Sequence, residues 1–99
     1  MGRNVRFFHS NVVINKNAKI GDNVIFHGNN CIGNNGKNPL KCPTIGNNVD
    51  VGYGATIIGD ITIADDVIIG ANSLVNKSFN ENGIIIAGVP AKKIGEIKK

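Results

Sequence analysis

The chain is poor in aromatic residues, cysteine and proline. Its 99 residues include no Trp, one Tyr, four Phe, two Cys and three Pro. Because bulky aromatic side chains are scarce, the core has to be built mainly from Ile and Val, which favours strands over helices. The sequence also lacks a long uncharged apolar run and a basic, apolar leader, which argues against membrane insertion and secretion. We therefore expect a cytoplasmic protein with reduced thiols.

Cysteine spacing, charge and size limit the metal sites, ligands and assembly states that this chain could have. Cys31 and Cys42 match neither a zinc ribbon nor a CxxC redox pair, and we expect no metal site. The net charge of +4 is compatible with anionic ligands such as phosphorylated compounds, and we expect no nucleic-acid partner. A chain of this length is close to the size at which one core barely sustains itself, so help from other chains is expected.

Bulky apolar residues recur every six positions along most of the chain. A helix would need apolar spacings of three and four, and an ordinary strand would need continuous alternation, so neither template fits. The next residue is often Gly, and a small or branched apolar residue usually follows four places after the repeat position. The repeat positions are Phe8, Ile14, Ile20, Phe26, Ile32, Ile45, Val51, Ile57, Ile63, Ile69 and Val75.

The residues between the repeats are types that form tight turns. Segments 21–23, 46–48 and 70–72 read Gly-Asp-Asn, Gly-Asn-Asn and Gly-Ala-Asn, which tolerate left-handed backbone angles. Three such sides close a triangular coil, in which each residue lies about 4.8 Å below its counterpart in the next coil. The pattern predicts an all-β parallel β-helix of about 3.5 to 4 coils. Most of the acidic residues fall at these corners, where turn formation is their expected role: Asp22, Asp50, Asp60, Asp65 and Asp66.

We expect a single domain over residues 1–99, with repeats at 8–37 and 45–76. Residues 38–44 interrupt the period, and Pro39 and Pro43 cannot donate to a strand ladder, so this segment is predicted to be a loop extruded at one corner. It is either functional or a tolerated insertion. Residues 77–99 are expected to cross to a last strand, 84–87, and to end in a short C-terminal tail that carries Lys92, Lys93, Lys98 and Lys99.

Several segments together resemble the left-handed β-helix acyltransferases, specifically the serine acetyltransferase branch and its relatives in polysaccharide pathways. The resemblance covers roughly residues 9–95, and the closing Ala-Gly-Val-Pro-Ala after an Ile-Gly-Ala-Asn-Ser repeat is its most specific part. It implies a left-handed helix, a homotrimer with active sites in the grooves between subunits, and acetyl-CoA as co-substrate. The matching segments are 20–24, 32–37, 44–49, 59–63, 69–73 and 87–91.

The resemblance also implies a histidine as general base, and the chain has two candidates. Acetyl transfer to a hydroxyl needs a base that is effective near neutral pH, which suits His. His9 precedes an apolar stretch at nearly the family's spacing, with one residue fewer. His27 lies one coil later, so the two imidazoles are expected to stack; it could line the acceptor pocket or replace His9 as the base. The family's acidic residue before the catalytic His is Phe8 here, which leaves the orienting partner unidentified.

Coenzyme A contacts are likewise implied by the resemblance. The positions that contact the pantetheine arm in the family correspond to Tyr53 and Ala71, and the Tyr53 ring would either narrow the arm's channel or stack on the adenine. Lys77 and Lys92 match positions near the phosphates. Asn35, Gly36 and Lys37 resemble a Gly-Thr-Gly-Lys loop near the reacting centre.

The resemblance predicts an O-acetyltransferase whose acceptor is a small hydroxyl compound, either L-serine or a sugar. The helical amino-terminal domain of serine acetyltransferases is not found in this sequence, which weakly favours a sugar and leaves open a truncated chain. A γ-type carbonic anhydrase has the same fold but needs three His around zinc, and this chain has two. A non-catalytic β-helix is the remaining alternative.

Overall fold

The computed structural model describes residues 1–97, and Lys98 and Lys99 of the expected tail lie outside this range. Residues 1–97 contain no helix that could cross a membrane. They form short strands joined by turns, and the all-β prediction is confirmed. The strands are β1 (Arg6–Phe7), β2 (Val13–Ile14), β3 (Lys19–Ile20), β4 (Ile25–Phe26), β5 (Cys31–Gly33), β6 (Thr44–Ile45), β7 (Asp50–Val51), β8 (Thr56–Ile58), β9 (Thr62–Ile63), β10 (Ile68–Ile69), β11 (Leu74–Val75), β12 (Ile84–Gly88) and β13 (Ala91–Glu96).

The strands stack into three sheets that form the sides of a triangular prism. Sheet 1 has the order β1-β4-β7-β10-β12-β13, sheet 2 has β11-β8-β5-β2, and sheet 3 has β3-β6-β9. The pairing is parallel except between β12 and β13. From β1 to β11 successive strands visit the three sheets in turn. Each coil therefore has three corners: the first joins sheet 1 to sheet 2, the second sheet 2 to sheet 3, and the third sheet 3 to sheet 1.

The interior of the prism is filled by the predicted repeat residues. One bulky residue of each strand from β3 to β11 points inward, and Phe26, Ile57 and Val75 are fully buried. The second apolar position of the repeat adds Val24, Val49, Ala55 and Val67 at the corners, also fully buried. This arrangement gives the sequence an apolar period of six residues, because each side of the prism contributes one inward strand residue and one corner residue.

A ladder of side-chain oxygens holds the third corner together. The backbone N–H of Arg3 donates to the Asp22 carboxylate at 2.8 Å, and the N–H of Asp22 donates to the Asn47 amide oxygen at 2.8 Å. The same contact joins Asn47 to Asp65 at 2.7 Å and Asp65 to Asn82 at 3.0 Å. Each oxygen thereby pairs a turn N–H that would otherwise have no partner in the corner. The expected turn-forming role of Asp22 and Asp65 is confirmed.

The Asp65 carboxylate gives a direct test of this ladder. We expect Asp65→Ala to lower the free energy of unfolding by about 1–2 kcal/mol, because it removes the acceptor for the Asn47 N–H. Asp65→Asn keeps an oxygen at the same place and should lose less than half of that amount. Urea denaturation of the two variants measures the difference. Equal losses in both would show that the carboxylate charge, and not the ladder oxygen, stabilises the corner.

The predicted loop leaves the prism at the second corner. Ile20 pairs with Ile45, 25 positions on, whereas Ile14 pairs with Ile32, 18 positions on. The seven extra residues fall between β5 and β6, which agrees with the predicted interruption. Pro39 contacts the preceding coil, because its carbonyl accepts a hydrogen bond of 3.3 Å from the Asn17 side chain.

The first and last repeats depart from the prediction. Phe8 was expected at an inward position, but Phe7 takes the place that pairs with Phe26, and their rings stack at 5.4 Å. Phe7 and Phe8 are both exposed. The first corner of the first coil therefore has one residue more than the later ones. At the other end, Phe79 is buried and bridges to Ile63, so it continues sheet 3 where the sequence period had ended.

The expected C-terminal tail is largely a strand. β13 folds back antiparallel on β12 after a cis peptide bond at Val89-Pro90 and closes the end of sheet 1. Lys93 on β13 pairs with Glu81 and Glu96, both at 3.0 Å. The hydrogen bonds that the Lys93 ammonium donates to Glu81 and then to Glu96 raise its pKa above the ordinary value. The tail was missed as a strand because its side chains are mostly exposed and show no six-residue period.

Candidate functional site

Two aromatic rings from non-adjacent coils meet at the first corner. His9, Gly28 and Tyr53 occupy equivalent places in successive coils. Gly28 has a φ of +128°, and a Cβ at this position would lie 2.6 Å from the His9 Cβ and 3.3 Å from the Tyr53 ring. Because Gly28 has no side chain, the His9 and Tyr53 rings approach edge to face with centroids 6.3 Å apart. Only glycine meets both the backbone and the space requirement here.

These rings line a pocket of about 510 Å³. We call it the first pocket. Its size lies within the range of small-molecule sites. The polar atoms around it come from imidazole, hydroxyl and amide groups. The lining residues are His9, Ser10, Asn11, His27 and Tyr53.

His27 is held by a carboxylate from the next coil. Its Nε2 lies 2.7 Å from Asp50 Oδ1, and the two side chains are 34% and 39% exposed. Since a carboxylate only accepts, the neutral imidazole carries its proton on Nε2 and leaves Nδ1 as an acceptor. The Phe8 ring packs edge-on against this imidazole with a centroid distance of 5.1 Å.

Asp50 was expected to form a turn at a corner, but it lies in a strand. Asp50 lies in β7, on the outer face of sheet 1, and it orients His27, the alternative base, and not His9. It faces a second pocket of about 380 Å³ rather than the first pocket. The His27–Asp50 pair therefore forms a wall between the two pockets.

The expected stacking of the two imidazoles is wrong. Phe7 pairs with Phe26, 19 positions on, so that Phe8 lies over His27 and His9 lies over Gly28. The extra residue in the first coil produces this shift. Both imidazoles still line the first pocket, but each has its own aromatic neighbour.

A buried amide fixes the turn that carries Gly28. The Asn30 side chain is 2% exposed and accepts a hydrogen bond of 3.0 Å from the Gly28 N–H. Its Nδ2 donates to the carbonyls of Gly52 at 2.9 Å and Ala55 at 3.0 Å in the next coil. Asn30 was not identified from the sequence, although it occupies the second position of a repeat, which is Gly36 in the next repeat and apolar or Ser in the others.

The other candidate residues lie at three places. Ala71 continues the first corner one coil beyond Tyr53, and the Asn72 N–H donates to the Tyr53 carbonyl at 2.8 Å. The segment 35–37 and Lys77 lie at the second corner, which is the opposite end of sheet 2, and Lys77 Nζ lies 5.4 Å from the centre of the Phe79 ring. Lys92 is exposed on β13. Thus the structure brings His9, His27 and Tyr53 together but separates them from the loop and Lys77.

Within residues 1–97, no three His, Cys, Asp or Glu side chains are grouped closely enough to hold a metal ion.

Prism and pocket together define a parallel β-helix protein with an imidazole-lined site at one corner, and known proteins share this architecture. The chain is similar to a protein of Escherichia coli strain K12 assigned as the colanic acid biosynthesis acetyltransferase WcaB, at 39% identity over 87 residues, 87% of this chain and 54% of that protein. It is similar to a serine acetyltransferase of Mycobacterium tuberculosis strain H37Rv at 38% identity, over 86% of this chain and 37% of that protein. No family model matches the chain.

Solved structures agree in fold. A serine acetyltransferase from Brucella abortus strain S19 in complex with coenzyme A has a TM-score of 0.93 at 33% identity, covering 99% of this chain and 40% of the other. A maltose O-acetyltransferase from Clostridium difficile 630 has a TM-score of 0.79 at 28% identity, covering 99% and 58%. The predicted resemblance to the left-handed β-helix, hexapeptide-repeat acyltransferases is thereby confirmed. It spans about half or less of the length of the curated relatives named above.

Proposed function

We propose that this chain carries the active site of an acetyl-CoA-dependent O-acetyltransferase that acts on a small hydroxyl acceptor. The observation that carries the proposal is the first pocket, in which two imidazoles lie at the corner of a prism similar to a serine acetyltransferase solved with coenzyme A. The relatives named as serine, maltose and WcaB acetyltransferases support the same reaction class. We further propose that the protein acts in the cytoplasm.

The reaction requires a base, a bound thioester and an acceptor hydroxyl. The base takes the hydroxyl proton as the acceptor oxygen forms a bond to the acetyl carbon; the carbon–sulfur bond then breaks, and the coenzyme A thiolate recovers the proton. We assign His9 as the base, because its exposed ring lines the pocket next to Tyr53. His27, which Asp50 orients, is the alternative base.

Coenzyme A would lie along the first corner, from His9 past Tyr53 towards Ala71. Beyond Tyr53 this corner presents mostly small residues, including Gly54 and Gly70. Because Tyr53 lies next to His9, we propose that its ring narrows the channel beside the thioester rather than stacking on the adenine. Lys92 would approach the phosphates at the far end.

We propose a homotrimer, since the candidate residues are divided between two corners. The segment 35–37 and Lys77 at the second corner lie away from His9 in the same chain. In a closed threefold ring, the second corner of one subunit would lie against the first corner of its neighbour, and the two sets of residues would form one site. Burial of sheet faces between subunits would also add to the small core of a single chain.

Titration of acetyl-CoA into the purified protein tests the proposed function. We expect saturable binding at micromolar to millimolar concentration and release of free thiol when a hydroxyl acceptor is added, about 10²-fold or more above the rate without protein. Light scattering on the same sample measures the subunit number. Denatured protein is the control for spontaneous thioester hydrolysis. If millimolar acetyl-CoA neither binds nor releases thiol, the chain is a non-catalytic β-helix and the proposal is wrong.

A further inference from the structure

We infer that Tyr53 is a specificity-determining residue, whose ring restricts the acyl donor to the short acetyl group and excludes longer donors such as butyryl-CoA. The inference rests on the proposed function and deepens it, because the prism and the base alone set no limit on the length of the acyl chain. It depends on two rings of the same chain that meet over Gly28. A neighbouring subunit would add atoms to the open side of the first pocket, but it cannot widen the space between these rings.

The base and the proposed path of the coenzyme together place the acyl group beside Tyr53. For transfer, the acceptor oxygen has to lie within hydrogen-bond reach of the His9 imidazole and about 3–3.5 Å from the acyl carbon. Because the coenzyme runs along the first corner past Tyr53, the thioester reaches His9 from the Tyr53 side. The centroids of the two rings are 6.3 Å apart. The acyl carbon therefore lies next to both rings, and a longer chain has to find room close to them.

The floor between the two rings has no room for one more carbon atom. A carbon built as a Cβ on Gly28 would lie 2.6 Å from the His9 Cβ and 3.3 Å from the Tyr53 Cε2. Both distances are shorter than the separation of about 3.5–4.0 Å at which carbon atoms pack best. A chain longer than acetyl cannot pass between the rings towards Gly28. It would have to turn into the rest of the first pocket, where it competes with the acceptor.

Hydrogen bonds hold the backbone around Tyr53 against the turn that carries Gly28. The Gly54 N–H donates to the Gly28 carbonyl at 3.0 Å, and the Asn72 N–H donates to the Tyr53 carbonyl at 2.8 Å. The Asn30 side chain donates to the Gly52 carbonyl at 2.9 Å. The backbone below the ring is thereby tied to the coils before and after it. Since these bonds involve the backbone and not the Tyr53 hydroxyl, Tyr53→Phe should leave the ring in place.

Binding of acyl-CoA donors tests the inference and needs no acceptor. Calorimetry on the whole chain gives Kd for free coenzyme A, acetyl-CoA and butyryl-CoA. In the unmodified protein we expect Kd for butyryl-CoA to exceed that for acetyl-CoA by about tenfold or more, since one methylene group is worth about tenfold or more in a fitted pocket. In Tyr53→Ala the ratio should fall below about threefold, because the missing ring opens the floor. Kd for free coenzyme A should stay the same.

Two further variants separate the size of the ring from other effects. Tyr53→Phe keeps the ring and should keep the tenfold ratio. Phe8→Ala is the matched control for the loss of an aromatic ring at this corner. Phe8 is 51% exposed and Tyr53 is 50% exposed, and the Phe8 ring packs edge-on against the other imidazole, that of His27. Phe8→Ala should also keep the tenfold ratio.

Several results would overturn the role of Tyr53 while the proposed function stands. They are equal affinity of the unmodified protein for the two thioesters, a ratio that Tyr53→Ala leaves unchanged, and an equal fall of the ratio in Tyr53→Phe or Phe8→Ala. In each of these cases acetyl-CoA is still bound. If neither coenzyme A nor either thioester binds at millimolar concentration, the proposed function itself is wrong, and the role of Tyr53 is overturned with it.

Discussion

Replacement of His9 by alanine is expected to lower kcat for acetyl transfer by about 10²- to 10⁴-fold, the usual contribution of a general base. His9 is exposed and its ring contacts only the Tyr53 ring among the aromatic neighbours described, so its removal should leave the prism intact. Acetyl-CoA binding, measured by calorimetry, should persist. Steady-state thiol release at saturating substrates measures the loss.

His27 and Asp50 provide the matched comparison. If His9 is the base, His27→Ala and Asp50→Asn should mainly raise KM for the acceptor, because the pair shapes one wall of the first pocket. A different outcome moves the base: turnover that survives His9→Ala but is lost in both His27→Ala and Asp50→Asn would assign the reaction to the oriented imidazole. In that case Asp50 would be its positioning residue, and the assignment of His9 would be wrong.

The fold could be predicted because its determinants are local and repeat. Each side of the prism needs one inward strand residue and one small corner residue, so a period of six in Ile and Val specifies the architecture without long-range information. The corners are equally local, since Asn23, Asn48 and Asn72 adopt φ near +57° in the structure, as their residue type predicted. The loop at 38–44 was visible as a break in the same period.

The site was less predictable because it depends on register between coils. Because of a single extra residue in the first coil, His9 lies over Gly28 and not over His27. A six-residue pattern does not detect such a shift, since Phe7 and Phe8 are both large and apolar. The partner of His27 is 23 positions away in sequence, a separation that includes the loop.

The buried side chain of Asn30 was the other feature that the sequence did not reveal. Apolar periodicity gives no sign of Asn30, which stands between Val24 and Val49 in the series of corner residues. The one available signal was its position, because a polar residue at an otherwise apolar place in a repeat has to be hydrogen-bonded if it is buried. In the structure its amide makes three hydrogen bonds to the backbone of two coils.

The Asn30→Ala variant is expected to lose about 3–5 kcal/mol of the free energy of unfolding. The substitution leaves the Gly28 N–H and the Ala55 carbonyl without a side-chain partner, whereas the Gly52 carbonyl still accepts from the Ala55 N–H at 3.1 Å. Each buried group left unpaired costs about 1–3 kcal/mol. Since domains of this size are stable by only about 5–15 kcal/mol, the variant should be close to unfolding at 37 °C. The shift in the midpoint of urea denaturation at constant m-value measures the loss.

Two further variants make this prediction specific. Asn80→Ala removes an exposed amide of the same size and should change stability by less than about 0.5 kcal/mol. Asn30→Asp keeps the acceptor for Gly28 but loses both donors and buries a charge, so it should destabilise at least as much as alanine. A loss below about 1 kcal/mol in Asn30→Ala would mean that water replaces the amide at this corner. The Gly28 turn would then owe its shape to glycine alone, and the approach of Tyr53 to His9 would not depend on Asn30.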